Sequence, residues 1–129
     1  MRARLTADSL APAQAIALAD AFSARERLPD AARERLAIVI EEWVVNIVEH
    51  GEPAPDSLIE IDLARADDLL RLSISDAGQP FDPREIEHQG PNMERGGGAG
   101  LALVQAWCRI ADYRWEDGRN RTVLELSAS

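Results

Sequence analysis

A chain of 129 residues, 46% hydrophobic and 29% charged, has the length of one ordinary domain and enough apolar surface for one real core, which excludes a disordered or fibrous class. The formal net charge of −9 argues against direct contact with nucleic acid, because phosphate-backbone binding needs a basic face. All 14 basic residues are arginine, so neither a P-loop lysine nor the strand lysine of the common protein kinases is available.

Further classes fall away with the ends and the cysteine count. No apolar run approaches the roughly 20 residues that cross a bilayer. Arg2 and Arg4 are not followed by a signal-peptide core. The single cysteine, Cys108, rules out an internal disulfide and suits a reducing compartment. The expectation is one soluble cytoplasmic domain over residues 1–129, with no membrane role.

In chain order, Ser9 is placed to cap a helix from Leu10 to about Arg27, with Pro12 in its first turn and Leu28-Pro29 ending it. Asp30 is placed to cap a second helix, Ala31 to His50. There Leu36, Val39, Ile40, Trp43, Val44, Ile47 and Val48 recur at helical spacing as a deep apolar stripe. Gly51, Pro53 and Pro55 stop it. Ile59, Ile61 and Leu63 alternate with Glu60 and Asp62, and Leu70, Leu72 and Ile74 alternate with Arg71, Ser73 and Ser75, which predicts a hairpin around Ala66-Asp67-Asp68. An irregular stretch from Ala77 to about Gly98 is long enough to be functional. Ala99 to Ala111 reads as a helix, and Asp117-Gly118 as the turn between strands at Tyr113–Glu116 and Arg121–Ser127. The fold class expected is α+β, a two-layer α/β sandwich with helices packed on one face of a mixed, mostly antiparallel sheet.

Three clusters carry chemistry. Glu42, Asn46 and His50 stand at i, i+4 and i+8, a polar line along one edge of the apolar stripe. An amide oxygen there suits Mg²⁺, which takes oxygen ligands and keeps waters and substrate phosphates. A carboxylate one turn earlier suits proton acceptance. By itself the same line is an ordinary solvated helix flank. Asp76 shares the parity of Leu70, Leu72 and Ile74 and so points inward as its strand ends. A buried carboxylate needs a donor, and none of the neighbouring residues is basic, so a ligand's exocyclic amine is one candidate. Gly78 lets the backbone approach a flat ring closely. The plainer reading is a β-turn in which Asp76 bonds its own backbone. Finally, Gly96, Gly97, Gly98 and Gly100, just before Leu101, put free N–H groups at a helix start, where they hold phosphates or simply form a flexible linker.

Their order resembles a known family. Glu42-Xaa₃-Asn46-Xaa₃-His50 resembles the N box of the GHKL (Bergerat-fold) ATP-binding domains. Asp76-Xaa-Gly78-Xaa-Pro80-Phe81-Asp82-Pro83 is similar to their G1 box, and Gly98-Xaa-Gly100-Leu101-Xaa-Leu103-Val104 to their G2 box. Thr122 resembles the threonine of a late strand that completes the nucleotide pocket. The match runs from Ala31 to Leu126, and Pro80-Phe81-Asp82-Pro83 is closest in kind to the stand-alone anti-sigma-factor serine kinases. The G1 segment lacks a second glycine, Ala99 interrupts the G2 loop, and the lid, about residues 77–98, carries only Arg84 and Arg95 as basic groups.

The resemblance implies ATP and Mg²⁺ as ligands and assigns roles by position. Glu42 is the general base on the acceptor hydroxyl, Asn46 the Mg²⁺ ligand, and Asp76 the reader of adenine. Gly78 packs on the base; Gly98 and Gly100 let the lid close, with Gly96, Gly97, Leu101, Pro80, His50 and Thr122 completing the nucleotide site. Trp43 and Trp107 are assigned to the core, Cys108 to a small buried hydrophobe and His88 to the exposed lid. The implied function is an anti-sigma factor and serine/threonine-protein kinase with two protein partners, a sigma factor and an anti-sigma-factor antagonist whose serine it phosphorylates. A homodimer through the sheet edge or N-terminal elements is compatible with this. The alternatives are a nucleotide-gated binding module without phosphotransfer, and the catalytic domain of a histidine kinase. The second is disfavoured because a strand and one helix are all that precede the Asn46 helix.

Overall fold

The computed structural model describes residues 1–85 and 99–129. The elements are β1 (Arg2–Thr6), α1 (Ala11–Arg25), α2 (Asp30–His50), β2 (Leu58–Ala66), β3 (Leu69–Asp76), α3 (Ala99–Trp107), β4 (Arg109–Glu116) and β5 (Arg119–Ser127). A 3₁₀ turn, Pro83–Glu85, follows β3. The five strands form one sheet in the order β1-β2-β3-β5-β4. Every pairing among the described residues is antiparallel, so the sheet is not mixed. Two tight hairpins account for much of this. Asp67 (φ 55) turns β2 into β3, and Asp117 (φ 55) with Gly118 (φ 72) turns β4 into β5 with the two left-handed residues that such a turn requires.

Alternation along the strands sends Leu5, Ile59, Ile61, Leu63, Leu70, Leu72, Ile74, Leu124 and Leu126 to one buried face. The helices cover it. In α1, Ala11, Ala15, Ala19 and Phe22 recur every three or four residues, and small alanines let the helix lie close. In α2 the buried set is Ala32, Leu36, Val39, Ile40, Trp43, Val44, Asn46 and Ile47, with Val48 only partly covered. Burying each of the large apolar side chains contributes about 1.5–3 kcal/mol, which anchors α2 and therefore everything it carries. The opposite sheet face is charged and wet. Cross-strand pairs such as Arg4–Glu60 (3.6 Å) and Arg121–Glu116 (3.1 Å) line it, each contributing about 0–1 kcal/mol.

Three local expectations are corrected. Ser9 does not cap α1: the Leu10 N–H donates to Asp8 Oδ1 (2.9 Å), and α1 begins at Ala11. Asp30 lies inside the first turn of α2, where its charge complements the helix dipole, after an extended Pro29 at the cap position. The third helix ends at Trp107 instead of Ala111. Residues from Arg109 onward pair with β5, because Arg109 reaches Glu125 across the strands (Nη2–Oε1, 2.6 Å) and partner strands override a local helical pattern. β4 also carries a bulge: Ile110 faces Leu124 and Asp112 faces Val123, leaving Ala111 as the extra residue. That single residue reverses the side-chain alternation for the rest of β4.

Candidate functional site

A narrow crevice, closed to the point of having no room for a water molecule among the described residues, lies where the C-terminal half of α2 crosses the ends of β3 and β5, lined by Trp43, Asn46, Ile47, Asp76, Phe81, Asn120 and Thr122. Register explains the convergence. Ile74 stands opposite Thr122 and Asp76 opposite Asn120, so all four share the inward face beneath α2. Strand alternation that buries leucines further along the same strands here delivers a carboxylate, an amide and a hydroxyl under the helix.

Asn46 is 3% exposed, and among the described residues neither its Oδ1 nor its Nδ2 has a hydrogen-bond partner. Buried amide atoms left unbonded cost about 1–3 kcal/mol, and such groups in native proteins call for a specific explanation. Nothing in helix packing requires an asparagine at this point of an apolar stripe. A ligand that enters the crevice would satisfy the amide.

Asp76, also 3% exposed, is satisfied on one oxygen. Its Oδ1 accepts the Gly78 N–H (2.9 Å) and the Asn120 Nδ2–H (3.1 Å). The turn reading and the inward reading therefore both hold: the carboxylate bonds its own backbone two residues on and faces the crevice. Among the described residues no hydrogen bond falls on Oδ2. Gly78 is required by the protein itself as well as by any ring that might lie on it. A Cβ there would sit 2.6 Å from the Gly51 carbonyl oxygen and 2.9 Å from Asp76 Oδ1. The same Gly51 oxygen accepts the Gln79 N–H (2.7 Å), which clamps the turn after β3 to the end of α2.

Asn120 is the residue that local sequence reasoning passed over. It is 2% exposed, and its amide is fully used. Oδ1 accepts the Phe81 N–H (2.9 Å) and the Tyr113 hydroxyl (2.6 Å), while Nδ2 donates to Asp76 and to the Gln79 carbonyl (2.8 Å). Its alternation with Thr122, Leu124 and Leu126 was a usable signal for burial. Its partners, far away in sequence, were not.

The remaining predicted positions divide. Thr122 lines the crevice at 3% exposure. Glu42 is half-buried one turn before Asn46 and outside the lining, and His50 is exposed at the helix end. Pro80 is exposed beside Phe81. Leu101 is buried in the core, and Gly100 lies in the first turn of α3. Gly96, Gly97 and Gly98, with Arg95 and His88, lie outside the described residues. Trp43 belongs to the core as predicted, but it also walls the crevice, with its ring centroid 6.3 Å from that of Phe81 at 54°. Burial pushes the Cys108 thiol up to about 12, which leaves it inert. Next to the crevice, hydrogen bonds from Arg84 hold the Asp82 carboxyl below its ordinary value, and the Arg84 guanidinium stacks 5.8 Å from the Tyr113 ring centroid.

The helix-borne amide, the Asp-Xaa-Gly turn and the late-strand threonine thus meet in one crevice, and the family model of the histidine kinase-like ATPase domain matches residues 4–127. The chain belongs to that family. No curated protein matches the sequence. Among solved structures, the RsbU and RsbW domains of Rv1364c from Mycobacterium tuberculosis are similar at 24% identity and a TM-score of 0.61. That match covers 98% of this chain and 33% of the other, so this ATPase-family chain spans about a third of that protein's length. The catalytic domain of histidine kinase ThkA is similar at 14% identity and a TM-score of 0.56, covering 99% of this chain and 98% of its own. The Acinetobacter baumannii histidine kinase AdeS matches at 17% identity and a TM-score of 0.52, over 75% of this chain and 47% of that one. At such identities these likenesses establish the fold: a GHKL ATPase-type α+β sandwich. Among the described residues no helix is long and apolar enough to cross a membrane.

Proposed function

We propose that this GHKL domain binds ATP with Mg²⁺ in the crevice and acts as an anti-sigma factor and serine/threonine-protein kinase on an anti-sigma-factor antagonist. The observation that carries nucleotide binding is the Asn46 amide, buried and unbonded on both atoms in the same crevice as Asp76. The residues fit the group. Among the described residues no cluster of three or more His, Cys, Asp or Glu is gathered to hold a metal. The amide oxygen of Asn46 suits an ion such as Mg²⁺, which takes oxygen ligands and brings waters and phosphate oxygens with it.

Asn46 Oδ1 is the oxygen ligand offered to the ion. Asp76 Oδ2 accepts the exocyclic amine of the base, while Gly78 and Thr122 border the ring and Trp43 and Phe81 form apolar walls. Gly100, in the first turn of α3 before Leu101, and Gly96, Gly97 and Gly98, which lie outside the described residues, are the glycines that would offer backbone N–H groups to the phosphates. His50 and Pro80 flank the site from exposed positions. When bound, ATP·Mg²⁺ supplies a phosphoryl group whose charge the ion neutralises. Glu42, on the Asn46 edge of α2, is the base that takes the proton of the acceptor serine hydroxyl.

The kinase and anti-sigma assignment rests on the resemblance of Pro80-Phe81-Asp82-Pro83 to the stand-alone anti-sigma-factor serine kinases. The fold shared with a protein that has an RsbW domain is in keeping with it. In this reading a sigma factor is held by the ATP-bound form. Calorimetric titration with ATP, with and without Mg²⁺, tests binding. Incubation with labelled ATP and a candidate antagonist, with Glu42→Ala and Asn46→Ala as controls, tests transfer. Label transfer untouched by Glu42→Ala removes the assigned base. A second reading, a nucleotide-gated binding module without transfer, is favoured by Glu42 lying outside the crevice lining. Tight ATP binding with no transfer to any partner selects it.

A further inference from the structure

Resting on the ATP reading of this crevice, we infer that Asn120, held by Tyr113, is the positioning residue that sets Asp76 for recognition of the base amine. The amide orientation is decided by its backbone partners. The Gln79 carbonyl can only accept, so Nδ2 faces it, and Oδ1 then takes the Phe81 N–H (2.9 Å), which also reaches the Tyr113 hydroxyl oxygen (3.2 Å). The second Nδ2 hydrogen then has Asp76 Oδ1 as its acceptor (3.1 Å). Together with the Gly78 N–H on the same oxygen, this turns the carboxylate so that Oδ2 is the atom left for a ligand donor.

Tyr113 completes the arrangement, and it is there because of the Ala111 bulge. Ile110 opposite Leu124 faces inward; without the extra residue the inward positions of β4 would continue at Asp112 and Arg114. With it, Tyr113 stands opposite Thr122 on the crevice side and its hydroxyl donates to Asn120 Oδ1 (2.6 Å). A bulge that turns an aromatic hydroxyl onto a buried amide, which in turn aims a buried carboxylate, is a preorganised recognition device. Four partners from three segments hold one side chain in one rotamer. The exchange of any partner loosens the aim of Asp76 before it alters the rest of the crevice.

The test compares ATP with purine riboside triphosphate, which lacks only the 6-amino group, each titrated with Mg²⁺ by calorimetry into the wild-type protein, Asn120→Ala and Tyr113→Phe. The wild type should prefer ATP. In Asn120→Ala, ATP affinity should fall about tenfold more than the affinity for the purine analogue, because the bond to the amine is lost on top of any change at the Phe81 wall that both nucleotides feel. Tyr113→Phe should lower the preference by about threefold, in keeping with loss of one neutral hydrogen bond. Equal weakening of both nucleotides would mark a merely structural role and overturn the inference, as would a preference retained in the variants. Should Asn120→Ala fail to fold, Tyr113→Phe carries the test, and an unchanged preference there overturns the inference. A wild type that binds neither nucleotide, or both alike, instead removes the ATP reading on which it rests.

Discussion

At one end of the crevice the Asn120 amide spends all its bonding capacity on four protein partners, while at the other end the Asn46 amide, equally buried, has none. Both are asparagines at 3% exposure or less in contact with the same apolar walls. The difference lies in where they stand. Asn120 sits on a strand beside a turn whose Gln79 carbonyl and Phe81 N–H reach its side chain, whereas Asn46 projects from a helix whose own backbone is already bonded. The Asn120 end is complete without a ligand; at the Asn46 end no described residue answers the amide, and in the proposed reading a ligand would. On that reading base recognition and ion binding are separated in kind as well as in place.

The sharpest way to break this comparison is the same substitution at both ends. Asn120→Leu removes one acceptor of the Phe81 N–H and the two amide donations to the Gln79 carbonyl and Asp76 Oδ1, and should destabilise the protein by about 2–4 kcal/mol in chemical denaturation. Asn46→Leu replaces an unbonded amide by an apolar side chain of similar size. It should leave the ligand-free protein unchanged or stabilise it by about 1 kcal/mol, while abolishing Mg²⁺-dependent ATP binding in calorimetry. Equal destabilisation at the two positions would erase the distinction.

Gly78→Ala sharpens the clamp between the two ends. Its Cβ, 2.6 Å from the Gly51 carbonyl oxygen, forces the turn off α2, and thermal melts should show a loss of about 1–3 kcal/mol together with weaker nucleotide binding. Gly118→Ala is the contrast. Nothing lies within 4 Å of the added methyl, but φ is +72, so about 1 kcal/mol of backbone strain should appear in the melt with no change in nucleotide affinity.

The smallest effect belongs to the outer sheet face. Hydrogen bonds from Arg71 and then Arg109 hold the Glu125 carboxyl below its ordinary value. A carboxyl whose pKa is lowered by folding stabilises the protein above its unfolded value, about 4.3, and loses that contribution as pH falls through the folded value. Glu125→Gln should therefore lower stability near neutrality, with the gap to wild type closing on acidification; denaturation curves taken from pH 7 down to pH 3 would show it.

Much of this was legible along the chain. The stripe on α2, the alternation of β2 and β3 and the Asp117-Gly118 turn depend on spacing alone, and they carried the layer arrangement and the inward parity of Asp76 with them. The errors occur where a neighbour in space decides the outcome. The helix signal through Ala111 yielded to pairing with β5, and the caps expected at Ser9 and Asp30 yielded to Asp8 and Pro29. Glu42, Asn46 and His50 share a helix edge as periodicity requires, yet only Asn46 reaches the crevice, because burial depends on how far that edge is covered and not on the angle at which it lies.

The sequence by itself determined that this protein has a two-layer α+β core and that an amide, a carboxylate and a threonine stand at inward or edge positions of named elements, since period and parity are properties of the local backbone. Only the tertiary structure decided which polar group answers which. Asp76 meets Asn120, 44 residues away, through the β3–β5 register, and Tyr113 reaches Asn120 through a one-residue bulge. Hydrogen bonds act over about 3 Å, and no spacing along a chain encodes a contact at that distance until the strands have chosen their register.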